Sequence, residues 1–323
     1  MTKIKSLIDL IGNTPIVQVK SFDTGKCNLF LKMENLNPGS SIKDRVALKI
    51  IEDAEKKGQL KKDATIVEAT AGNTGLGIAL IACLKGYKAK IVIPDKMNEN
   101  KLLHLKALGA EVIKVRHDVG PDHPEHYTNV AKRICAETQN SFYSSQFTNS
   151  SNPSAHELTT GPEILDQLDG KVDAVVCGVG TGGTISGLGK FFSEHSPSTE
   201  MVLADPKGSI IKDTVENNEV KEADYSWLVE GIGEDFIPET LNIKYIKKAY
   251  EVSNSEAFNT IKELALNEGI LAGSSSGTLI SAALKYCKEQ EKEKNVVTFI
   301  CDNGEKYLNT AYNKVWLKEK NII

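Results

Sequence analysis

The sequence lacks the long apolar run of a membrane-spanning helix, since no stretch approaches about 20 consecutive apolar residues. It also lacks a block of basic residues, and its net charge is -4, so we expect neither nucleic acid nor a membrane as a partner. The first ten residues contain too short an apolar stretch for a signal peptide. We therefore expect a cytoplasmic protein.

Paired metal ligands are also missing. The six cysteines are scattered without a CxxC pair, which indicates reduced thiols in a cytoplasmic protein. His117, His123 and His126 lie among acidic residues, but a glycine and two prolines interrupt any regular element there. We predict a solvated loop for these histidines and no metal site.

The length and the pattern of apolar runs predict a two-lobed α/β protein. A chain of 323 residues exceeds one ordinary hydrophobic core. Runs typical of strands cover residues 65–67, 89–93, 111–115, 174–177, 201–203 and 296–300. Helical stretches between them cover residues 74–85, 98–108, 162–168 and 184–192. This alternation predicts parallel sheets covered by helices, and polar turn residues at 148–153 indicate a boundary.

One lysine lies where a polar loop turns into a helix. The Pro-Gly pair at 38–39 marks a turn, and Ser41 with Asp44 three residues later predicts a helix N-terminus. Lys43 in that first turn faces the positive end of the helix dipole, which disfavours its ammonium form. A neutral amine is what a covalent bond to an aldehyde requires. Lys43 is therefore either a cofactor anchor or an ordinary solvated lysine.

A first glycine-containing loop, residues 70–75, follows the strand at 65–67. Its small residues let backbone N–H groups approach an anion, and Thr70, Asn73 and Thr74 add side-chain donors. One substrate carboxylate would suit this first loop. The alternative is a connector whose glycines only allow close packing of strand and helix.

A second loop, residues 178–184, has two interpretations. Gly178, Gly180 and Gly183 satisfy G-x-G-x-x-G, and Asp205 follows Gly180 by 25 residues, which favours a dinucleotide site. The threonines at 181 and 184 make the same loop equally suitable as a binding site for a single phosphate. This loop alone does not separate a phosphate from a pyrophosphate.

Two further segments carry polar groups that bear on chemistry. The serines within residues 273–277 can contact a ring nitrogen or cap the helix that follows them. An acidic segment, residues 230–235, combines three acids with two glycines. That composition suits a mobile loop that carries a carboxylate over a cleft.

In these motifs and their order, the chain resembles the cysteine synthase and cystathionine β-synthase family of pyridoxal-phosphate enzymes. The likeness runs from Ile11 to Glu305, and it is nearer to the cystathionine β-synthase-like bacterial members. It implies that Lys43 holds pyridoxal 5'-phosphate, with Ser275 at the pyridine nitrogen. The other implied cofactor-binding residues are Asn73, Gly180, Thr181, Gly182, Gly183 and Thr184. The implied substrate-binding residues are Thr70, Ala71, Asn73, Thr74, Gln146 and Gly231, with Ala71 in place of the family's usual serine.

The resemblance also implies a reaction. It is β-replacement on serine, O-acetylserine or cysteine through an aminoacrylate, to which a thiol adds. Lys43 then acts as general base, and Asp235 or Glu234 holds the amino group of a larger thiol or positions a water. The alternatives within the family are cysteine synthase, and a cysteine-consuming enzyme that releases sulfide and forms serine or lanthionine. An NAD-dependent oxidoreductase or a non-catalytic binding protein is disfavoured.

The implied fold consists of two lobes, each with a mainly parallel, twisted sheet covered by helices. We expect an N-terminal lobe over residues 1–149 and a C-terminal lobe over residues 150–323 that binds the cofactor phosphate. A segment at about 12–40 is expected to cross to the other lobe, and residues 85–135 are expected to move. The family is usually dimeric, so we expect a homodimer.

Overall fold

The structure is a computed structural model that describes residues 4–70, 72–120 and 122–323. The chain divides into two compact units. Unit 1 comprises Met1–Ile11 and Asn37–Asn152, and unit 2 comprises Gly12–Leu36 and Pro153–Ile323. The N-terminal part of the chain therefore contributes to both units.

Strands and helices alternate along the described residues. The strands are β1 (Ile16–Gln18), β2 (Asn28–Lys32), β3 (Thr65–Ala69), β4 (Lys88–Pro94), β5 (Glu111–Val115), β6 (Ser141–Tyr143), β7 (Ala174–Gly178), β8 (Glu200–Pro206), β9 (Ile246–Val252) and β10 (Asn295–Phe299). The helices are α1 (Lys43–Lys56), α2 (Asn73–Lys85), α3 (Glu99–Ala107), α4 (Tyr127–Glu137), α5 (Ser151–Ala155), α6 (Gly161–Gln167), α7 (Gly183–His195), α8 (Ile211–Asn217), α9 (Asn254–Glu268), α10 (Ser274–Lys288) and α11 (Lys314–Glu319). A π-helical turn, His156–Thr160, joins α5 to α6. These elements confirm the predicted α/β class.

Unit 1 contains a four-stranded parallel sheet in the order β5-β4-β3-β6. Every residue of β3 is buried. Ile66 on one face of β3 belongs to a core built with α1 and α2, whereas Val67 and Ala69 belong to a second core with residues of α4. Because both faces of β3 are covered, its side chains form a nearly continuous apolar run. Glu68 interrupts that run.

Unit 2 contains a six-stranded sheet in the order β1-β2-β10-β7-β8-β9. Only the β1–β2 pair of this sheet is antiparallel. Strand β2 pairs with β10 from Asn28 opposite Asn295 to Lys32 opposite Phe299, so the segment Gly12–Leu36 completes this sheet.

Lys32, the last residue of β2, has a fully buried side chain. Its Nζ donates hydrogen bonds to the Thr14 carbonyl oxygen at 2.6 Å, Glu163 Oε2 at 2.7 Å and Gln167 Oε1 at 2.9 Å. The Lys32 and Glu163 charges are therefore paired and hydrogen-bonded, as a buried ion pair requires. This contact holds the N-terminal segment of unit 2 against α6.

The helix that Ser41 and Asp44 predict begins at Lys43. Ile42 is the N-cap residue, and it makes no capping hydrogen bond. The Asp44 carboxylate instead accepts a hydrogen bond from the backbone N–H of Gly39 at 2.5 Å. The polar loop before the helix is thus fixed by a residue of the helix itself.

The predicted histidine loop lies between β5 and α4. His117 Nδ1 is 2.5 Å from Asp95 Oδ1, and His126 Nδ1 is 2.7 Å from Thr128 Oγ1. The residues that the structure describes contain no group of three histidine, cysteine or acidic side chains able to hold a metal ion. Among those residues, no helix combines the length and the apolar character needed to cross a membrane.

Candidate active site

Lys43 lies at the N-terminus of α1, next to α2. Its backbone N–H donates to Ser41 Oγ at 3.3 Å. A Cβ on Gly77 of α2 would lie 3.1 Å from the Lys43 carbonyl oxygen and 3.0 Å from Ala47 Cβ. Glycine at 77 therefore lets the first turns of α1 and α2 approach closely.

The first loop connects β3 to α2. Helix α2 begins at Asn73 with Gly72 as its N-cap, and no side chain caps it. Thr70 Oγ1 accepts a hydrogen bond from the Gly72 N–H at 3.0 Å. The first amides of a helix have no intrahelical acceptor, so together with the helix dipole they favour an anion. Ala71 lies outside the described residues, and its predicted substrate contact stays a prediction.

Gln146 reaches the first loop from the segment that follows β6. Its Oε1 accepts a hydrogen bond from Thr74 Oγ1 at 2.5 Å, and its Nε2 donates to the Ala69 carbonyl oxygen at 3.4 Å. Gln146 and Thr74 are both buried. Unit 1 therefore brings Gln146 together with the first loop, whose helix α2 packs against Lys43.

In unit 2, the second loop connects β7 to α7. Gly182 has a left-handed backbone with φ +80°, and α7 begins at the next residue. A Cβ on Gly180 would collide with the Gly231 carbonyl oxygen, and one on Gly182 would lie 2.7 Å from Leu241 Cβ. Thr181 Oγ1 accepts a hydrogen bond from the Gly183 N–H at 3.4 Å. The glycines of this loop and the first-turn amides of α7, which have no intrahelical acceptor, suit a bound phosphate.

His156 contacts Thr184 at the end of the second loop, a contact that was not predicted from the sequence. Its ring is fully buried, with Nε2 3.2 Å from Thr184 Oγ1 and Nδ1 3.0 Å from Thr160 Oγ1. Both ring nitrogens are used, so His156 orients the Thr184 hydroxyl at the start of α7. No pattern near residue 156 indicates this contact, because Thr184 is 28 residues away.

The acidic segment lies against the second loop and against α10. The Gly233 N–H donates to the Val179 carbonyl oxygen at 2.8 Å, and the Glu230 N–H donates to Ser274 Oγ at 3.0 Å. Glu234 Oε1 lies 3.8 Å from the position of a Cβ on Gly180, so its carboxylate faces the second loop.

Asp235 differs from its neighbour. It is exposed, and its Oδ2 accepts a hydrogen bond from the Tyr225 hydroxyl at 3.1 Å. Tyr225 has φ +54°, a left-handed backbone that is uncommon for a bulky residue, and its ring stacks on Trp227. The two acids predicted to act interchangeably therefore occupy different surroundings.

The serines at the start of α10 also differ from one another. Ser274 Oγ accepts from Glu230, and Ser276 Oγ accepts from the Cys301 N–H at 3.0 Å. Ser275 is buried, and within the described residues its hydroxyl makes no hydrogen bond. None of the three caps the helix. The Ser275 hydroxyl is therefore available to a polar ligand atom.

These observations test the fit of a phosphorylated heterocycle to unit 2. The second loop provides amides and threonine hydroxyls for a phosphate monoester, and Ser275 provides a hydroxyl for a ring nitrogen. The profile of one family, described as "Pyridoxal-phosphate dependent enzyme", matches residues 7–302. The chain belongs to this family. Its cofactor is pyridoxal 5'-phosphate, and the residues present fit that group.

Individual relatives fall in the same family. The chain is 40% identical to a cystathionine beta-synthase of Apis mellifera over 327 residues, which cover 100% of this chain and 64% of that protein. It is 41% identical to a cysteine synthase of Staphylococcus aureus over 309 residues, or 95% of this chain and 96% of that one. A crystal structure of a hydrogen sulfide-producing enzyme from Fusobacterium nucleatum superposes with a TM-score of 0.86, at 38% identity, over 95% of this chain and 100% of that one. The chain thus spans less than two thirds of the cystathionine beta-synthase.

Membership in the pyridoxal-phosphate family removes the dinucleotide interpretation of the second loop, and Asp205 agrees with this. The side chain of Asp205 is buried, and its Oδ2 accepts a hydrogen bond from the Lys212 N–H at 2.8 Å, near the start of α8. Burial raises the pKa of this carboxyl to about 6, against hydrogen bonds from Lys212 and Ser209 that lower it. Asp205 therefore accepts a hydrogen bond from the first turn of α8 and has a structural role rather than that of a ribose ligand.

Proposed function

We propose that this enzyme catalyses β-replacement: it exchanges the β-substituent of serine, O-acetylserine or cysteine for a thiol. The observation that carries the proposal is the arrangement of unit 1. There the N-terminus of α1, with Lys43, packs against α2, whose first turn and preceding loop offer donors to a carboxylate. From that position beside an anion site, the Lys43 amine would suit removal of the Cα proton from an amino acid whose carboxylate is held.

The cofactor and the residues of unit 1 would have separate roles in this reaction. Pyridoxal phosphate, when bound, supplies an aldehyde for covalent attachment and a ring that accepts the electron pair released at Cα. Lys43 Nζ would hold the resting cofactor and then take the Cα proton. The loop residues Thr70, Asn73 and Thr74, with Gln146, would bind and orient the substrate carboxylate.

In unit 2, the loop residues Gly180, Thr181, Gly182, Gly183 and Thr184 would bind the cofactor phosphate. Ser275 would offer the ring nitrogen a neutral hydroxyl in place of a carboxylate. Because Ser275 would supply no acidic proton there, it would favour loss of the β-substituent over transamination. The exposed Asp235 suits an entering group, because it can bind the amino group of a thiol such as homocysteine. Glu234 would lie nearer the second loop than Asp235 does. Gly231 would contact the substrate.

A second candidate is the release of sulfide from cysteine, with water or a second cysteine as the entering group. Two observations favour it. The chain covers the whole of a hydrogen sulfide-producing enzyme at 38% identity, and an exposed carboxylate is present at Asp235. The cysteine synthase reaction, O-acetylserine with sulfide, is the third member of the same chemical class.

The test is a matrix of serine, O-acetylserine and cysteine against sulfide, homocysteine and cysteine, with cysteine also incubated alone. Products are identified by mass, and Lys43→Ala is the control that should lose every product. We expect at least one pair to give a β-replacement product. No such product from any pair would contradict the proposal.

We also propose a cytoplasmic homodimer in which residues 85–135 move when substrate binds. The proposal rests on the family resemblance for the dimer, and on the need to keep water from the reacting groups for the motion. Light scattering would measure the mass in solution. Hydrogen exchange with and without substrate would measure protection over residues 85–135, and unchanged protection there would contradict the motion.

A further inference from the structure

Glu68 is a buried acid that the proposed mechanism does not use. It lies in the middle of β3 with 1% of its surface exposed, two residues before Thr70 of the first loop. Within the described part of the chain, it forms no ion pair. A buried carboxylate without a cation is costly, so its position requires an explanation.

The Glu68 carboxyl joins the end of β3 to the segment that carries Gln146. Oε2 accepts hydrogen bonds from Ser144 Oγ at 2.7 Å and from the Gln146 N–H at 3.4 Å, and Oε1 accepts from the Ala69 N–H at 2.8 Å. The Gln146 side chain in turn accepts from Thr74 Oγ1. One residue thus connects Glu68 to the first turn of α2.

The same contacts accommodate a proton on Glu68. Ser144 has one hydroxyl hydrogen but two acceptors near its Oγ, Glu68 Oε2 at 2.7 Å and the Val67 carbonyl oxygen at 3.0 Å. When Glu68 is ionised, Ser144 donates to it. When Glu68 is protonated, its O–H donates to Ser144 Oγ, and Ser144 donates to Val67. Both states are hydrogen-bonded without movement of any heavy atom.

Both states are accessible near neutral pH. Burial raises the pKa of Glu68 to about 7, against the hydrogen bonds from Ser144, Ala69 and Gln146 that lower it. Tyr143 on β6 is its ionisable neighbour: burial, and then the Glu68 charge, raise the pKa of Tyr143. The other ionisable side chains on the elements next to β3 are Lys88 and Lys90 of β4, Cys83 and Lys85 of α2, and Tyr127, Lys132, Arg133, Cys135 and Glu137 of α4. Helix α1, which shares a core with Ile66 of β3, carries Lys43, Asp44, Arg45, Lys49, Glu52, Asp53, Glu55 and Lys56.

We propose that Glu68 is a positioning residue of the carboxylate site and shifts toward its protonated form when the substrate carboxylate binds. This inference rests on the proposed function, since it assigns the substrate carboxylate to the first loop. A second negative charge near Glu68 disfavours its ionised form, and the Ser144 hydroxyl oxygen can accept a hydrogen bond from the protonated form. The proton comes from solvent. Binding therefore favours protonated Glu68, and the affinity falls as the pH rises through its titration range.

The test uses holoenzyme and L-alanine, which has a carboxylate and an amino group but no β-leaving group. Titration calorimetry in buffers of different ionisation enthalpy gives the number of protons taken up. The variant Glu68→Gln keeps the shape of the protonated acid and cannot titrate. Asp53→Asn is the matched control, because Asp53 in the same unit also accepts a serine hydrogen bond, from Ser151 Oγ at 2.8 Å.

We expect wild type and Asp53→Asn to take up more protons than Glu68→Gln. The ratio of the wild-type to the Glu68→Gln dissociation constant should rise about tenfold between about pH 6 and about pH 9 for each unit by which binding raises the pKa of Glu68. Equal proton counts and a constant ratio would overturn the inference while leaving the proposed function intact. Alanine that binds at no pH would overturn both.

A second variant separates proton uptake from a merely structural contribution. Ser144→Ala removes a hydrogen-bond donor to ionised Glu68, which raises the pKa of Glu68. The pH range over which the alanine affinity falls should therefore move upward. Infrared spectra of wild type with alanine should also gain the C=O band of a protonated carboxylic acid, which Glu68→Gln should not gain. The inference would be overturned if the pH range of the affinity change were the same in Ser144→Ala as in wild type, or if Glu68→Gln gained the same C=O band.

Discussion

Replacement of Lys32 by methionine should strongly destabilise unit 2. The Lys32 ammonium is fully buried and bonds Glu163, whose side chain is 13% exposed, along with Thr14 and Gln167. In Lys32→Met the Glu163 carboxylate loses the Lys32 ammonium but stays largely out of water. Breaking a buried pair from one side costs about 3–5 kcal/mol. We therefore expect the free energy of unfolding to fall by about 4 kcal/mol.

The measurement is denaturant unfolding of the holoenzyme, followed by far-ultraviolet circular dichroism, for Lys32→Met, Glu163→Gln and the double variant. The double variant should lose less free energy of unfolding than the sum of the two single losses, because it removes both charges of the pair together. Lys248→Met is the matched control: Lys248 pairs with Glu289 at 2.8 Å, but both are well exposed. It should cost less than about 1 kcal/mol. A loss of that small size for Lys32→Met, or additive losses, would refute the reasoning.

Three further predictions concern the first loop, α8 and the acidic segment. Thr74→Val removes the hydrogen bond to Gln146, so KM for the amino acid should rise about tenfold, and Tm should fall because Gln146 Oε1 loses a buried donor; an unchanged KM would contradict a role in binding. Asp205 has its pKa raised to about 6 from an ordinary value of 3.8, so its contribution to the free energy of unfolding falls by about 3 kcal/mol as the pH rises from about 4 to above 6. Asp205→Asn should remove that slope from unfolding curves, and an unchanged slope would contradict the burial argument. Asp235→Asn should reduce turnover with homocysteine more than with sulfide; equal losses would remove its proposed role.

The sequence predicted the elements whose signals are local. The apolar runs and the glycines after them indicated β3, β7 and their helices, because strand period and turn chemistry act over a few residues. Strand β6 was missed since it has three residues, and β9 was missed since its exposed lysines interrupt the apolar pattern.

Long-range contacts could not be predicted in the same way. A lysine and a glutamate within strands suggest solvent, yet Lys32 and Glu68 are buried. Their partners lie 131 and 76 residues away in the chain, at Glu163 and Ser144. Only tertiary packing supplies such partners, so neither residue carries a local signal. His156 is the same case at the second loop.

The central claim is that Lys43 carries the cofactor, and borohydride trapping tests it most directly. Borohydride reduction of the yellow holoenzyme should fix the cofactor covalently, and mass spectrometry of the digest should find it on the peptide that contains Lys43. Lys43→Ala should show no such adduct, whereas Lys49→Ala, on the same helix, should show it unchanged. A cofactor adduct on another lysine, or on the Lys43→Ala protein, would contradict the account.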